Sequence, residues 1–228
     1  MAPIDRYRRP ADVPKRIPVF PLRGAILLPR ASLPLNVFEP RYLAMVDDAI
    51  AGERVVGIVQ LQRSDSTEES PEGKTAPLRR IGCAGRIAAY QELDDGRLFI
   101  TLRGIARFEM STEIATAKPY RVCHVGYEKF PQDFMAGAGE DRVDREKLLR
   151  VLKTYLDSRR LSADWQAIAK TSTEYLVNSL SLISPYGPEE KQALLEAADL
   201  KTRAEVLVTL AEMELASSGR GPSGTTLQ

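Results

Sequence analysis

Ile17-Pro18-Val19-Phe20-Pro21-Leu22-Arg23 is the stretch on which the reading of the fold turns. Ile17 to Phe20 reads as a strand. Pro18 and Pro21 remove two backbone donors from it, so the strand belongs at a sheet edge or bends there. Leu28-Pro29, Leu33-Pro34-Leu35 and Phe38-Glu39-Pro40-Arg41-Tyr42 follow. Pro40 can open a helix and Gly52 can close it. Between them Tyr42, Met45, Val46, Ala49 and Ile50 recur at spacings of three and four. Phe38 fixes the direction in which the chain enters this helix, and Arg41 has Glu39 within reach as a partner.

Outward from this core, 17–130 reads mainly as strands. Val55 to Leu61 is a continuous apolar run, as a buried strand requires. Ile81 to Tyr90 and Leu98 to Leu102 flank Asp94-Asp95-Gly96, a tight-hairpin signal. Ile105 to Ile114 and Tyr120 to Tyr127 continue the series, with Gly104 allowing a bend or bulge between two strands. Such a series implies a barrel or curled sheet. The polar, acidic stretch 63–80 reads as a mobile loop. After an irregular connector at 129–142 the period becomes helical: Val143 to Leu156, Ser162 to Leu182 with Ser162 as N-cap, a short stretch Gln192 to Ala198 in a helix that Pro188 can start, and a last helix through Leu215 capped by Asp199. The expected layout is a flexible arm (1–16), a β subdomain with one helix (17–130), a helical bundle (131–216) and a disordered tail (217–228).

The opening pattern, from Ile17-Pro18-Val19-Phe20-Pro21-Leu22-Arg23 to Phe38-Glu39-Pro40-Arg41-Tyr42, resembles the start of the N-terminal, substrate-binding domain of Lon proteases. Gly57-Ile58-Val59, Ile81-Gly82-Cys83-Ala84, Gly104-Ile105-Ala106-Arg107-Phe108 and Asp199-Leu200-Lys201-Thr202-Arg203 resemble later elements of that domain in the same order. The likeness spans roughly 15–216. It implies an α+β fold in which a PUA-like β pseudo-barrel precedes a C-terminal α-helical bundle. It also implies a stand-alone protein- or peptide-binding module without the family's ATPase and peptidase domains.

Net charge is +1, from 32 basic and 31 acidic residues, so the overall balance gives no footprint for nucleic acid. A basic arm, with Arg6, Arg8, Arg9, Lys15 and Arg16 against Asp5 and Asp12, is the local exception. Apolar stretches such as Ala25 to Leu28 fall far short of a membrane span, and the N-terminus has no apolar signal segment. Cys83 and Cys123 are too few for a secreted disulfide framework and read as buried, reduced thiols in a cytoplasmic protein.

The residues give no catalytic centre. Gly73-Lys74-Thr75 resembles the end of a phosphate loop, but Glu68 stands where its first glycine is needed. Gly221-Pro222-Ser223-Gly224 superficially resembles the family's peptidase nucleophile, with no lysine after it to act as base. His124 is the single histidine, and its neighbour Cys123 points to the opposite face of a strand. Three Cys and His residues in total are too few for a structural zinc site. Asp47-Asp48 and Asp94-Asp95 read as solvated. The expectation is an enzyme-free module with no catalytic residues, no metal and no cofactor.

The expected partners are unfolded or partly folded protein segments or peptides, with a full-length Lon protease as a further candidate and no membrane. Phe130, Phe134 and Met135 in the polar connector are the first candidate contacts, either lining a groove between the two subdomains or sealing it. Phe38 and Tyr42 are the second. The alternative is a PUA-like RNA-binding protein using Arg79, Arg80 and Arg86. Against it stand the balanced charge and the lack of an aromatic-rich basic strand.

Overall fold

The computed structural model describes residues 6–62 and 76–218. Six strands, β1 (Arg16–Pro21), β2 (Ser32–Val37), β3 (Val55–Leu61), β4 (Leu78–Glu92), β5 (Leu98–Ile114) and β6 (Arg121–Gly126), form one mixed sheet in the order β2-β5-β4-β3-β1-β6. β6 also pairs with β5, so the sheet curls back on itself and β2 stands outside the ring. Helix α1 (Pro40–Ala51) lies between β2 and β3. Helices α2 (Arg145–Ser158), α3 (Trp165–Lys170), α4 (Thr173–Ile183), α5 (Pro188–Glu196) and α6 (Leu200–Ser218) follow the sheet. The architecture is α+β as expected, with a curled mixed sheet rather than a regular barrel.

The proline-bearing strand β1 is not at an edge: it runs parallel to β3 and antiparallel to β6. Pro18 falls where only β6 is paired and Pro21 where only β3 is, so each missing donor has a side without a partner strand. The expected pair of strands around Gly104 is one strand of 17 residues. One bulge lies at Ile105, between the Ala84↔Ala106 and Gly85↔Gly104 pairings, and a second at Ser111 against β6. A Cβ at Gly104 would sit 1.9 Å from the Leu28 carbonyl oxygen. Glycine is required there for the close approach of the 28–31 loop, whose Arg30 N–H donates to the Gly104 carbonyl at 2.9 Å. The Asp-Gly hairpin forms as expected, with Gly96 at φ +80° and its N–H on the Leu93 carbonyl. β4 begins at Leu78, inside the stretch read as loop, and β2 was not foreseen as a strand.

Two apolar clusters result. Inside the curl lie Ile17, Val19, Val55, Val59, Phe108, Val125 and Tyr127. The outer face of the sheet carries Ile58, Ile87, Ile100 and Leu102, which pack with Leu27 and Leu28 of the β1–β2 loop, with Met45 and Val46 of α1 and with Leu176, Leu194 and Leu207 of the bundle. Cys83 and Cys123 are both free and buried, and burial pushes both thiols up, Cys123 to about 11.

The arm is not loose where it is described. Tyr7 and Val13 are buried in the inner cluster, the Tyr127 hydroxyl donates to the Pro14 carbonyl at 2.9 Å, and Val125 N–H donates to the Lys15 carbonyl at 2.8 Å. The helix expected over 162–182 is two helices. Ser172 caps α4 through the Tyr175 N–H, and Asp164, not Ser162, caps α3. α5 starts at Pro188, the proline expected to open it, and ends at Glu196 rather than Ala198. Asp199 caps α6 as expected, accepting from Thr202 N–H at 2.8 Å. α6 runs on to Ser218, into the stretch read as tail. The Gly73-Lys74-Thr75 and Gly221-Pro222-Ser223-Gly224 segments lie outside the described residues.

Candidate polypeptide-binding surfaces

The connector builds a seal rather than an open groove. Phe130 is buried beneath the Arg107 guanidinium, whose carbon stands 3.9 Å from the ring centroid. A 3-10 turn at Pro131–Phe134 then carries Asp133 inward. Asp133 takes Arg107 Nη2 at 2.8 Å, and both Arg107 Nε and its backbone N–H at 2.9 Å. Arg107 is only 1% exposed. Its Nη1 donates onward to the carbonyls of Leu195 (3.0 Å) and Ala197 in the bundle. Phe134 is half-buried, edge-on to Tyr127 at 6.3 Å, and Met135 is 60% exposed. Tyr42 is buried between Phe20, 4.2 Å away, and Arg41, which also pairs with Glu39. Phe38 is 64% exposed.

Phe130 and Tyr42 are therefore core residues and cannot meet a partner. Phe38 and Met135 can, and Phe134 can in part. The two groups do not share a groove. Arg30, whose Nη1 donates to the Asp133 carbonyl at 2.6 Å, is separated from Phe38 by the whole of β2, about 20 Å of extended chain.

Sequence reasoning missed the polar seam to which Arg107 and Asp133 belong. Arg30 pairs with Glu174 of α4. Asn178 donates to the Pro29 carbonyl at 3.0 Å and accepts from Arg203 of α6 at 3.0 Å. Arg203 also donates to the Leu194 carbonyl, and burial beside Arg107 pushes it down to about 9. Gln60 of β3 meets Gln192 and the Pro188 carbonyl. The seam fixes the bundle against the sheet. Its one legible signal was an arginine inside the apolar run Ile105 to Phe108.

The open apolar surface lies in the bundle. Leu152, Leu156, Leu180, Tyr186, Leu207 and Ala211 line a groove of about 420 Å³ between α2, α4 and α6. Of α2's apolar stripe only Leu148 is fully buried; Val151, Leu152, Tyr155 and Leu156 are half covered. Leu161 and Ile183, the latter 75% exposed, stand at the rim, and the Arg159–Glu214 ion pair closes one side. Burial pushes the Tyr186 phenol up to about 12.

The free edge of the sheet is β2, with Pro34 at its middle. Proline cannot donate to an added strand, which blunts this edge against strand addition. Cys123 is buried and His124 exposed, so no thiol–imidazole pair forms.

The fold and its surfaces define a two-part module with an apolar groove in its helical half. The family described as the ATP-dependent protease La (LON) substrate-binding domain matches residues 16–212, and the chain belongs to that family. Lon protease 2 of Myxococcus xanthus is 26% identical over 200 residues, which cover 87% of this chain and 24% of that protein. Lon protease of Flavobacterium johnsoniae is 27% identical over 210 residues, covering 90% and 25%. The chain thus spans about a quarter of the length of these curated relatives. The fold is shared with a Lon N-terminal domain protein from Xanthomonas campestris (TM-score 0.58, 24% identity, 85% of this chain and 97% of that one). It is also shared with the N-terminal domain of a Mycobacterium avium complex Lon protease (TM-score 0.61, 18% identity, 87% and 98%). Among the described residues, no helix is long and apolar enough to cross a membrane.

Proposed function

We propose that this chain is a non-catalytic recognition module that binds unfolded or partly folded polypeptide, linked to proteolysis or protein quality control. The observation that supports this most is the open apolar groove of about 420 Å³ in a member of a substrate-binding family. An apolar segment of an unfolded chain buries its side chains against Leu152, Leu156 and Leu207, in the manner of peptide recognition by helical grooves. Met135 and Phe38 are contacts outside the groove, with Phe134 half available. A full-length Lon protease is the second partner under this reading, and the cytoplasm, where both thiols stay reduced, is its compartment. For RNA, two of the three arginines first considered are already engaged: Arg79 pairs with Glu189 and Arg80 with Glu109.

The test is binding of a reduced, carboxymethylated model protein to wild type and to Leu152→Asp. A charge in the groove is expected to weaken binding more than tenfold, the effect of losing about 1.4 kcal/mol or more. Equal affinity of the two proteins would remove the groove from the reading. Turnover of ATP or of peptide by the purified chain would remove its non-catalytic part.

A further inference from the structure

The curled sheet gathers positive charge along one row. Val55, Arg86, Arg103 and Ser32 oppose one another across β3, β4, β5 and β2. Directly opposed residues share a face, so Arg86 and Arg103 are neighbours of like charge, an arrangement that costs stability. Among the described residues neither guanidinium meets a carboxylate. Arg103 Nη1 donates to Ser32 Oγ and Arg86 Nη1 to the Glu53 carbonyl, both at 3.4 Å. Arg54, exposed and at φ +60°, stands one residue before β3, and its carbonyl accepts from the Ile87 N–H at 2.8 Å. Arg6 reaches the same corner and holds Glu53, the carboxylate placed there, at 3.1 Å. Most other arginines of the strands are matched: Arg79 with Glu189, Arg80 with Glu109, Arg107 with Asp133 and Arg121 with Glu113.

We propose that the paired Arg86 and Arg103, with Arg54 flanking them at the start of β3, form a docking strip for an acidic, extended polypeptide segment. The inference rests on the polypeptide-recognition reading and gives it a preferred substrate class. Arginine takes carboxylates through two parallel hydrogen bonds, which suits side chains of an extended chain laid across the strands. Strands lie about 4.8 Å apart, and alternate residues of an extended chain about 7 Å apart, a mismatch that long arginine side chains can bridge. Single-stranded nucleic acid would need aromatic platforms beside the charge. The exposed aromatics of these strands, Tyr90 and Phe99, lie toward the hairpin end of β4 and β5.

The test is fluorescence anisotropy with labelled, unstructured peptides of about 20 residues, long enough to cross the sheet at about 3.4 Å per residue. One is rich in Glu, one in Lys, and one is uncharged with spaced Leu; a uridine oligomer of equal length is the fourth probe. Wild type is expected to bind the Glu-rich peptide about tenfold tighter than the Lys-rich one, with the preference falling as salt rises. Arg86→Gln/Arg103→Gln is expected to lose that preference, keep its affinity for the uncharged peptide, and melt no lower than wild type because a repulsion is gone. Arg86→Lys/Arg103→Lys, which keeps the charge, is expected to retain part of it. No charge preference in wild type, or full preference in the Gln variant, overturns the proposal. So does a fall of many degrees in its Tm, which would make the pair structural. Tighter binding of the uridine oligomer at physiological salt replaces it with nucleic-acid recognition. If the uncharged peptide binds and the Glu-rich one gains nothing, this inference alone fails. If no peptide binds, the polypeptide reading fails with it.

Discussion

The sheet half and the helical half treat their apolar residues differently. In the curled sheet both faces of β3 are covered, and six of its seven residues are buried. The arm closes one side of the inner cluster with Tyr7 and Val13, and Phe134 packs against the same cluster from the connector. In the bundle, α2 brings an apolar stripe and leaves most of it half covered. Apolar residues thus close a core in one half and leave an open groove in the other. The surface free to bind is set by what packs over a stripe, not by the stripe.

The seam between the halves is where this contrast breaks most severely. Arg107 and Asp133 form a buried, multiply bonded ion pair. Asp133→Ala leaves the Arg107 charge without its carboxylate, and removal of one partner of such a pair costs about 3–5 kcal/mol. For a chain of this size that corresponds to a Tm lower by roughly 6–20 °C. A thermal melt measures it. A fall within 2 °C would mean that water or another group takes over the guanidinium.

The next effect concerns the arm. Deleting residues 1–13 removes Tyr7 and Val13 from the inner cluster and exposes the residues they cover. Burying such side chains is worth about 1.5–3 kcal/mol each, so a loss of roughly 3 kcal/mol in urea unfolding is expected. Composition alone, rich in proline and charge, pointed the other way. An unchanged midpoint would restore the loose arm and leave the sheet half open at that side.

Much of the sheet was legible because strands announce themselves locally. β3, β4 and β6 are apolar runs, and the Asp95-Gly96 step marks the β4–β5 hairpin. β2 was not, because Leu33 and Leu35 alternate with Pro34 in too short a span to outweigh proline. The break between α3 and α4 was hidden by an apolar period that continues across Ser172, whose capping role shows only in its bond to Tyr175 N–H. The seam was illegible for a different reason. Asn178 reaches the Pro29 carbonyl and Arg107 the Leu195 carbonyl, and a backbone acceptor carries no residue signature. Phe130 and Tyr42 were misplaced by the same gap. Polar neighbours in sequence made Phe130 a candidate contact, and the start of the helix made Tyr42 one, while their covering groups, Arg107 and Phe20, come from strands far away in the chain.

The smallest change in stability separates two of the original candidates, Phe134 and Phe38. Phe134 is half-buried, with its ring edge-on to Tyr127 and its carbon skeleton against the inner cluster. An aromatic pair adds about 0.5–1.5 kcal/mol to what burial alone contributes. Phe134→Ala is therefore expected to lower stability by roughly 2 kcal/mol, with partial burial holding it below the 3–5 kcal/mol of a fully buried phenylalanine. Phe38 touches no aromatic partner among the described residues and is exposed. Phe38→Ala should stay within about 0.5 kcal/mol of wild type, as substitutions away from packed sites do. Binding of the carboxymethylated model protein then distinguishes their roles. A Phe38 variant that melts like wild type yet binds more weakly makes Phe38 a contact. A Phe134 variant that melts lower and binds normally makes it part of the seal. If Phe134→Ala melts like wild type and loses binding, the connector is open in solution, and the contrast between a closed sheet half and an open bundle does not hold there.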